Sequence, residues 1–247
     1  MKRQMILRTS VIALLAVFSL SVFSQGIIVY KKDGTKVIHS YTEVDSIVTY
    51  SEGIAIDLGL PSGTLWADRN IGADTQEGYG DYFAWGETTP KSVYNWSTYK
   101  YCKGSYDTLT KYNNDSRDGT VDNKTVLEAS DDAATANWGA AWRMPTHAEQ
   151  VELNEKCTWT WTTRNGVNGY KVVGPNGNSI FLPAAGKASS SRVDFAGSEG
   201  YFWSASLDGS DPCRAWRVYF NYSGYFNSSV SNYRCDGRSV RAVARKN

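Results

Sequence analysis

The stretch from Tyr219 to Asp236 has the composition of a recognition surface. Tyr219, Tyr222, Tyr225 and Tyr233 are interleaved with Asn221, Asn227, Asn232 and four serines, so that 12 of its 18 residues are Tyr, Asn, Ser or Asp. Tyr offers broad amphipathic contact with few rotatable bonds, while Ser and Asn offer adaptable hydrogen bonding. Phe220 and Phe226 flank Asn221–Tyr225, which reads as the turn of a hairpin between strands over Ala215–Phe220 and Phe226–Tyr233. The period of two assigns Trp216, Val218 and Phe220 to the core and Arg217 and Tyr219 to the opposite, exposed face. Arg217, Tyr219, Asn221, Tyr222, Tyr225, Asn227, Tyr233 and Arg234 are therefore the candidate ligand-binding residues, since Arg and Tyr are favoured interface anchors. The plainer alternative is a sheet face whose outward residues are simply polar and aromatic.

Residues for covalent or metal chemistry are sparse. The chain has four cysteines, Cys102, Cys157, Cys213 and Cys235, with no Cys-x-x-Cys pair, and only His39 and His147. That set does not build a zinc site. An even cysteine count permits two disulfides in three connectivities. In the hairpin register where partners sum to 446, Cys213 lies opposite Tyr233, two positions short of Cys235, and a Cys213–Cys235 bridge is expected. No Ser/His/Asp nucleophile motif occurs. His147 falls at a helix start, and Glu149, the carboxylate that could pair with Glu87 in a hydrolase, is claimed by the same helix cap. Asn114, Ser116, Asp118 and Gly119 resemble the start of an oxygen-ligand loop, but Thr125 stands where a bidentate Glu is needed, and a solvated turn is the reading. No catalytic residue, metal or cofactor is expected.

The elements that position these residues are short. Thr146 and Glu149 form a Thr-x-x-Glu capping box, predicting a helix from Pro145 to about Lys156. A second helix is expected near Asp131–Trp138. Strands are expected over Tyr170–Val173, Ser179–Leu182, Ala215–Phe220, Phe226–Ser231 and Ser239–Ala244. Many short strands, few helices and long aromatic loops argue an α+β fold.

Residues 1–24 read as a signal peptide: Lys2, Arg3 and Arg8 precede the apolar run Val11–Phe23, which is too short to span a bilayer, and cleavage is expected before Gln25. No Cys follows to mark a lipoprotein; an uncleaved anchor is the alternative. Ile27–Tyr30 and Val37–Tyr41 flank Asp33-Gly34 as an N-terminal β-hairpin, with a third strand in Val44–Tyr50. The chain thus divides into a signal peptide (1–24), a hairpin element (25–52) and a main domain (53–247) that holds all nine tryptophans. With 26 basic against 25 acidic residues, the chain lacks the excess positive charge that phosphate neutralisation demands, so nucleic acid is not an expected partner. A hydrophobic content of 41% is ample for a core.

Several segments carry a family resemblance. They are Asp57-Leu58-Gly59-Leu60-Pro61-Ser62-Gly63-Thr64-Leu65-Trp66-Ala67, Asn70-Ile71-Gly72-Ala73, Tyr79-Gly80-Asp81-Tyr82-Phe83-Ala84-Trp85-Gly86-Glu87-Thr88, Trp142-Arg143-Met144-Pro145-Thr146, Gly200-Tyr201-Phe202-Trp203-Ser204-Ala205-Ser206 and Ser239-Val240-Arg241-Ala242-Val243. Over roughly Asp57 to Val243 the chain resembles the Fibrobacter succinogenes major paralogous domain family, common in exported proteins of Bacteroidetes. That family is similar to the C-type-lectin-like group, which includes formylglycine-generating enzymes and retroelement-diversified receptors. The resemblance implies a twisted antiparallel sheet with one or two short helices and long loops. In it, the Trp-Arg-x-Pro-Thr segment opens a framework helix, and the Trp-Ser and Ser-Val-Arg segments form framework strands. The copper-binding cysteine pair of formylglycine-generating enzymes is not carried over, because Cys213 and Cys235 stand 22 positions apart. The Tyr, Asn and Ser of the 219–236 stretch are the residue types that arise when adenines of Asn codons are replaced, as in diversified receptors.

The expectation is an exported, non-enzymatic module, secreted or held at the cell surface or in the periplasm. It would bind an extracellular protein or glycan and keep no integral membrane span after cleavage. The rival readings are an enzyme related to formylglycine-generating or glycan-modifying proteins, and a structural cell-surface or appendage component.

Overall fold

The computed structural model describes residues 52–245 in full and, before them, only the backbone of four strands. The expected signal peptide lies outside the described residues except for Met5–Leu7. The chain falls into two compact units, Met1–Glu52 and Gly53–Asn247. In the first, β1 (Met5–Leu7) pairs in parallel with β4 (Ile47–Thr49). Strands β2 (Ile27–Tyr30) and β3 (Lys36–His39) pair antiparallel, with Ile27 opposite His39 and Tyr30 opposite Lys36.

The second unit is sheet-rich, mostly antiparallel and α+β. Strands β5 (Ala55–Asp57), β6 (Thr64–Asn70), β16 (Arg241–Arg245) and β7 (Trp142–Arg143) form one sheet in that order. A second sheet orders β8 (Thr158–Arg164), β9 (Val167–Val173) and β10 (Ser179–Pro183). A third joins β13 (Glu199–Leu207), β14 (Arg214–Asn221) and β15 (Phe226–Tyr233), and β11 (Lys187–Ser189) pairs with β12 (Arg192–Asp194). Among the described residues, no helix is long and apolar enough to cross a membrane.

Local sequence accounts for both helices. Helix α2 (His147–Lys156) begins where the Thr146 hydroxyl accepts from the Glu149 N–H at 3.2 Å and the Glu149 carboxylate accepts from the Thr146 N–H at 2.8 Å. Two orphan donors are thereby satisfied reciprocally. Helix α1 (Ala133–Trp138) is capped by Asp132, which accepts from the N–H groups of Ala134 and Thr135 and, with its other oxygen, from Met144. Gln150, buried on α2, donates to the Phe202 carbonyl at 3.0 Å and fixes the helix on β13.

Two apolar clusters fill the unit. One gathers Trp85, Tyr99, Tyr112, Trp138, Trp142 and Trp203, whose indole N–H groups on Trp85 and Trp203 donate to the Ser204 and Phe83 carbonyls. The other packs Trp66, Leu153, Tyr170, Val172, Phe202, Val218 and Phe220. The faces of Val218 and Phe220 are as the alternation predicts. Trp216 departs from it: the ring is only half-buried and lies against His147 instead of entering the core. Gly200 is required by packing, because a Cβ there would meet the Phe220 ring at 2.1 Å. Strands β6, β8 and β13 lie beyond the strands expected from residue patterning alone, although β8 alternates Thr and Trp from Thr158 to Thr162.

Candidate functional site

The β14–β15 hairpin holds every candidate binding residue, at its tip, along it or at its base. Near the tip, Phe220 faces Phe226 and Tyr219 faces Asn227, the expected register. Beyond that, Arg217 faces Val230 and Arg214 faces Tyr233, so Ser228 and Ser229 together stand against Val218 as a bulge. A one-residue slip exchanges the faces of every later side chain. Tyr233 therefore leaves the row of Tyr219 and joins Arg214, whose guanidinium lies 4.8 Å over its ring.

The tip is a built turn. Asn221 Oδ1 accepts from the Ser223 N–H, the Ser223 hydroxyl and the Tyr225 N–H, at 3.1, 2.7 and 3.2 Å. Gly224 takes φ +86°, a conformation that favours glycine. The Tyr222 N–H donates to the Ser198 carbonyl at 3.1 Å. Asn227 Nδ2 donates to the Tyr225 hydroxyl and Asn221 Nδ2 to the Tyr219 hydroxyl, at 3.1 and 3.3 Å. On this scaffold Tyr222 is 68% and Tyr225 51% exposed. The rings of Tyr201, Tyr219 and Tyr225 follow one another at 5.0 and 5.6 Å.

Two candidate arginines are not at the surface. Arg217 is buried, its guanidinium 4.9 Å from the Tyr201 ring centroid and 5.2 Å from that of Tyr219. Burial lowers its pKa. It supports the tyrosine row from below. Arg234 is fully buried: it donates to the Tyr99 hydroxyl at 2.8 Å and to the carbonyls of Tyr112, Pro212 and Lys111 at 2.7–2.8 Å. With Trp85 and Tyr99 rings also 5.2 Å away, it is a core pin that joins three loops to the hairpin. The exposed tip set is thus Tyr222 and Tyr225, bordered by the half-buried Tyr219, Asn221 and Asn227, and Tyr233 is exposed apart from them at the base.

The Cys213–Cys235 bridge does not form. The bulge sets Arg234, whose N–H donates to the Cys213 carbonyl at 3.1 Å, opposite Cys213. Cys213 Sγ instead lies 3.5 Å from the Tyr106 carbonyl, Cys235 enters the Trp203 cluster, and all four cysteines are free. Burial pushes the thiols of Cys213 and Cys235 up to about 12 and that of Cys157 to about 11. Such thiols are protonated at neutral pH and poor nucleophiles.

The remaining groups named for chemistry are committed to structure. His147 stacks on Trp216 with centroids 4.3 Å apart and planes 4° from parallel, its Nε2 3.0 Å from the Ser228 carbonyl, and burial lowers its pKa. Glu87 pairs with Lys91 at 2.8 Å and accepts from the Lys100 N–H at 2.8 Å. Burial alone would raise the Glu149 carboxyl. The Arg143 guanidinium, the Thr146 N–H and the Thr64 hydroxyl outweigh it and hold the group down at about 2. In the 114–119 loop, the Asn114 amide donates to the Gly209 carbonyl and Asp115 caps a short turn over Ser116–Asp118.

The base of the hairpin carries a feature that residue patterning did not give. Trp96, Tyr106, Asp118, Asp211, Cys213 and Tyr233 line a cavity of about 330 Å³. Of these, only Tyr233 is among the candidate binding residues. The others come from segments distant in sequence, except for Asp211 and Cys213, which share the β13–β14 connection, and their one local signal is the Asn/Asp/Gly turn that contains Asp118.

Comparison of the chain with protein-family models, with curated proteins and with solved structures gives no match.

Proposed function

We propose that this chain is an exported, non-enzymatic recognition module that binds an extracellular protein or glycan through the β14–β15 tip. The observation that carries the reading is the pair Tyr222 and Tyr225, exposed on a turn that Asn221 pre-organises. Rigid aromatic rings with adjacent amides lose little conformational freedom on binding, and pre-organisation raises affinity by lowering that cost. Sugars stack on such rings and hydrogen-bond to Asn, and protein ligands use the same groups.

A C-type-lectin-like architecture and membership of the major paralogous domain family belong to the same proposal. Two features support them. The Trp-Arg-x-Pro-Thr segment leads into α2, and the Gly200–Ser206 and Ser239–Val243 segments fall on or beside β13 and β16. The raised thiols, the stacked His147 and the capping role of Glu149 support the non-enzymatic reading.

The test is a glycan and protein array probed with residues 25–247, beside a Tyr222→Ala/Tyr225→Ala variant. A ligand held by the parent chain and lost by the folded variant is the expected result. Equal binding by both would return the hairpin to a plain sheet surface.

A further inference from the structure

We infer that the cavity at the base of the β14–β15 hairpin binds an ammonium group. This site is separate from the tip and does not depend on it. It is lined by the aromatic residues Trp96, Tyr106 and Tyr233, the acidic residues Asp118 and Asp211, and Cys213. The cavity of about 330 Å³ is at the small end of the range for small-molecule sites, ~300–1,000 Å³.

Two of the aromatic residues meet at an angle. Trp96 meets Tyr233 edge-on, with centroids 6.0 Å apart and an interplanar angle of 71°. The pair presents an angled corner instead of a flat stack. Tyr233 already takes one cation, the Arg214 guanidinium at 4.8 Å. Tyr106 is largely exposed, and its carbonyl is held by the Cys213 thiol at 3.5 Å, which fixes the third aromatic residue. Aromatic faces around a void attract cations through the ring quadrupole, and quaternary ammonium ligands are a common occupant of such cages.

The charge of the site has the matching sign. The charges of Asp115, Asp211 and Asp107 disfavour ionisation of Asp118, and that of Arg117 favours it. Arg117 is engaged by Asp115 at 2.5 Å and Arg214 by Asp211 at 3.0 Å. Asp118 makes no ion pair or side-chain hydrogen bond among the described residues, and burial followed by its acidic neighbours raises its pKa. An incoming ammonium would supply the counter-charge Asp118 lacks while resting on the rings. A neutral ligand of the same shape would gain only the apolar contact.

The ammonium could be carried by a small quaternary amine or by a lysine side chain, and calorimetric titration separates the two. The probes are choline, Nα-acetyl-lysine methylamide and, as the neutral isostere of choline, 3,3-dimethylbutan-1-ol. At least one amine is expected to bind ten times or more tightly than the alcohol. Tightest binding by choline assigns a quaternary amine, and tightest binding by the lysine derivative assigns a side chain. Asp118→Asn removes charge with little change in shape and is expected to weaken the bound amine by about fivefold, as is Tyr106→Ala, an exposed ring whose loss leaves the fold intact. The Tyr222→Ala/Tyr225→Ala variant should bind the amine normally, so failure of the tip reading leaves this one standing. Absence of amine binding, an alcohol that binds as well as the amines, or an Asp118→Asn variant with undiminished affinity would each overturn the proposal.

Discussion

At the tip of the β14–β15 hairpin Tyr222 and Tyr225 stand out in solvent; at its base Arg234 is sealed in the core and Tyr233 leans on Arg214. Both ends draw on the same residue types, Tyr, Asn, Ser and Arg. The tip hydrogen-bonds to itself and to Ser198, so its rings remain available. The base is covered by the loops that carry Lys111, Tyr112 and Pro212, and Arg234 ties those loops to the sheet. A polar, aromatic composition therefore makes an open surface for a protein or glycan only where no other segment lies over it. At the base the same composition makes a pin and, beside it, a cavity.

Substitutions at the two ends should separate these roles. The largest effect is expected from Arg234→Ala, which leaves the carbonyls of Tyr112, Pro212 and Lys111 without their donors. At about 1–3 kcal/mol for each orphaned buried group, the loss should exceed 3 kcal/mol in a denaturant melt. Stability within 1 kcal/mol of the parent would mean the base is no better tied than the tip. Next is Thr146→Ala, expected to cost about 1 kcal/mol through the lost α2 cap. An unchanged melt would show that tertiary packing alone holds α2.

Acid should act through the same cap. The folded Glu149 carboxyl, at about 2, titrates below an unfolded value of about 4.3. Its contribution is fully present above pH ~4.3 and is lost as pH falls toward 2. Glu149→Gln, which preserves the capping geometry, should flatten that limb of the stability–pH curve. An identical acid limb would remove Glu149 from the account. The smallest effect on stability is expected from Tyr222→Ala/Tyr225→Ala, within about 0.5 kcal/mol of the parent, the usual range for exposed sites. A larger loss would show that the tip supports the fold.

What could be read from the chain was local. The Thr-x-x-Glu box defines α2, and the alternation of Val218 and Phe220 defines the core face of β14. The register near the turn follows from Phe220 and Phe226. The bulge at Ser228 and Ser229 was not legible, because two serines in a strand carry no turn signal, and the slip they cause undid the cysteine pairing and moved Tyr233. Arg234 reads as a surface residue because a charge is costly to bury. It is accommodated by carbonyls from segments more than 100 positions away and from Pro212, which no local pattern reveals. The cavity brings together Trp96, Tyr106, Asp118, Asp211 and Tyr233 and exists only once the loops are folded.

The central claim, that the tip binds the protein or glycan ligand while Arg234 at the base holds the fold, is tested most directly by one paired measurement on Tyr222→Ala/Tyr225→Ala: its melting transition and its affinity for the ligand selected on the array. The account predicts an unchanged transition and an affinity reduced by more than about fivefold for each anchoring tyrosine lost. A variant that melts with the parent and binds as tightly, or one that fails to bind only because it has unfolded, would contradict it.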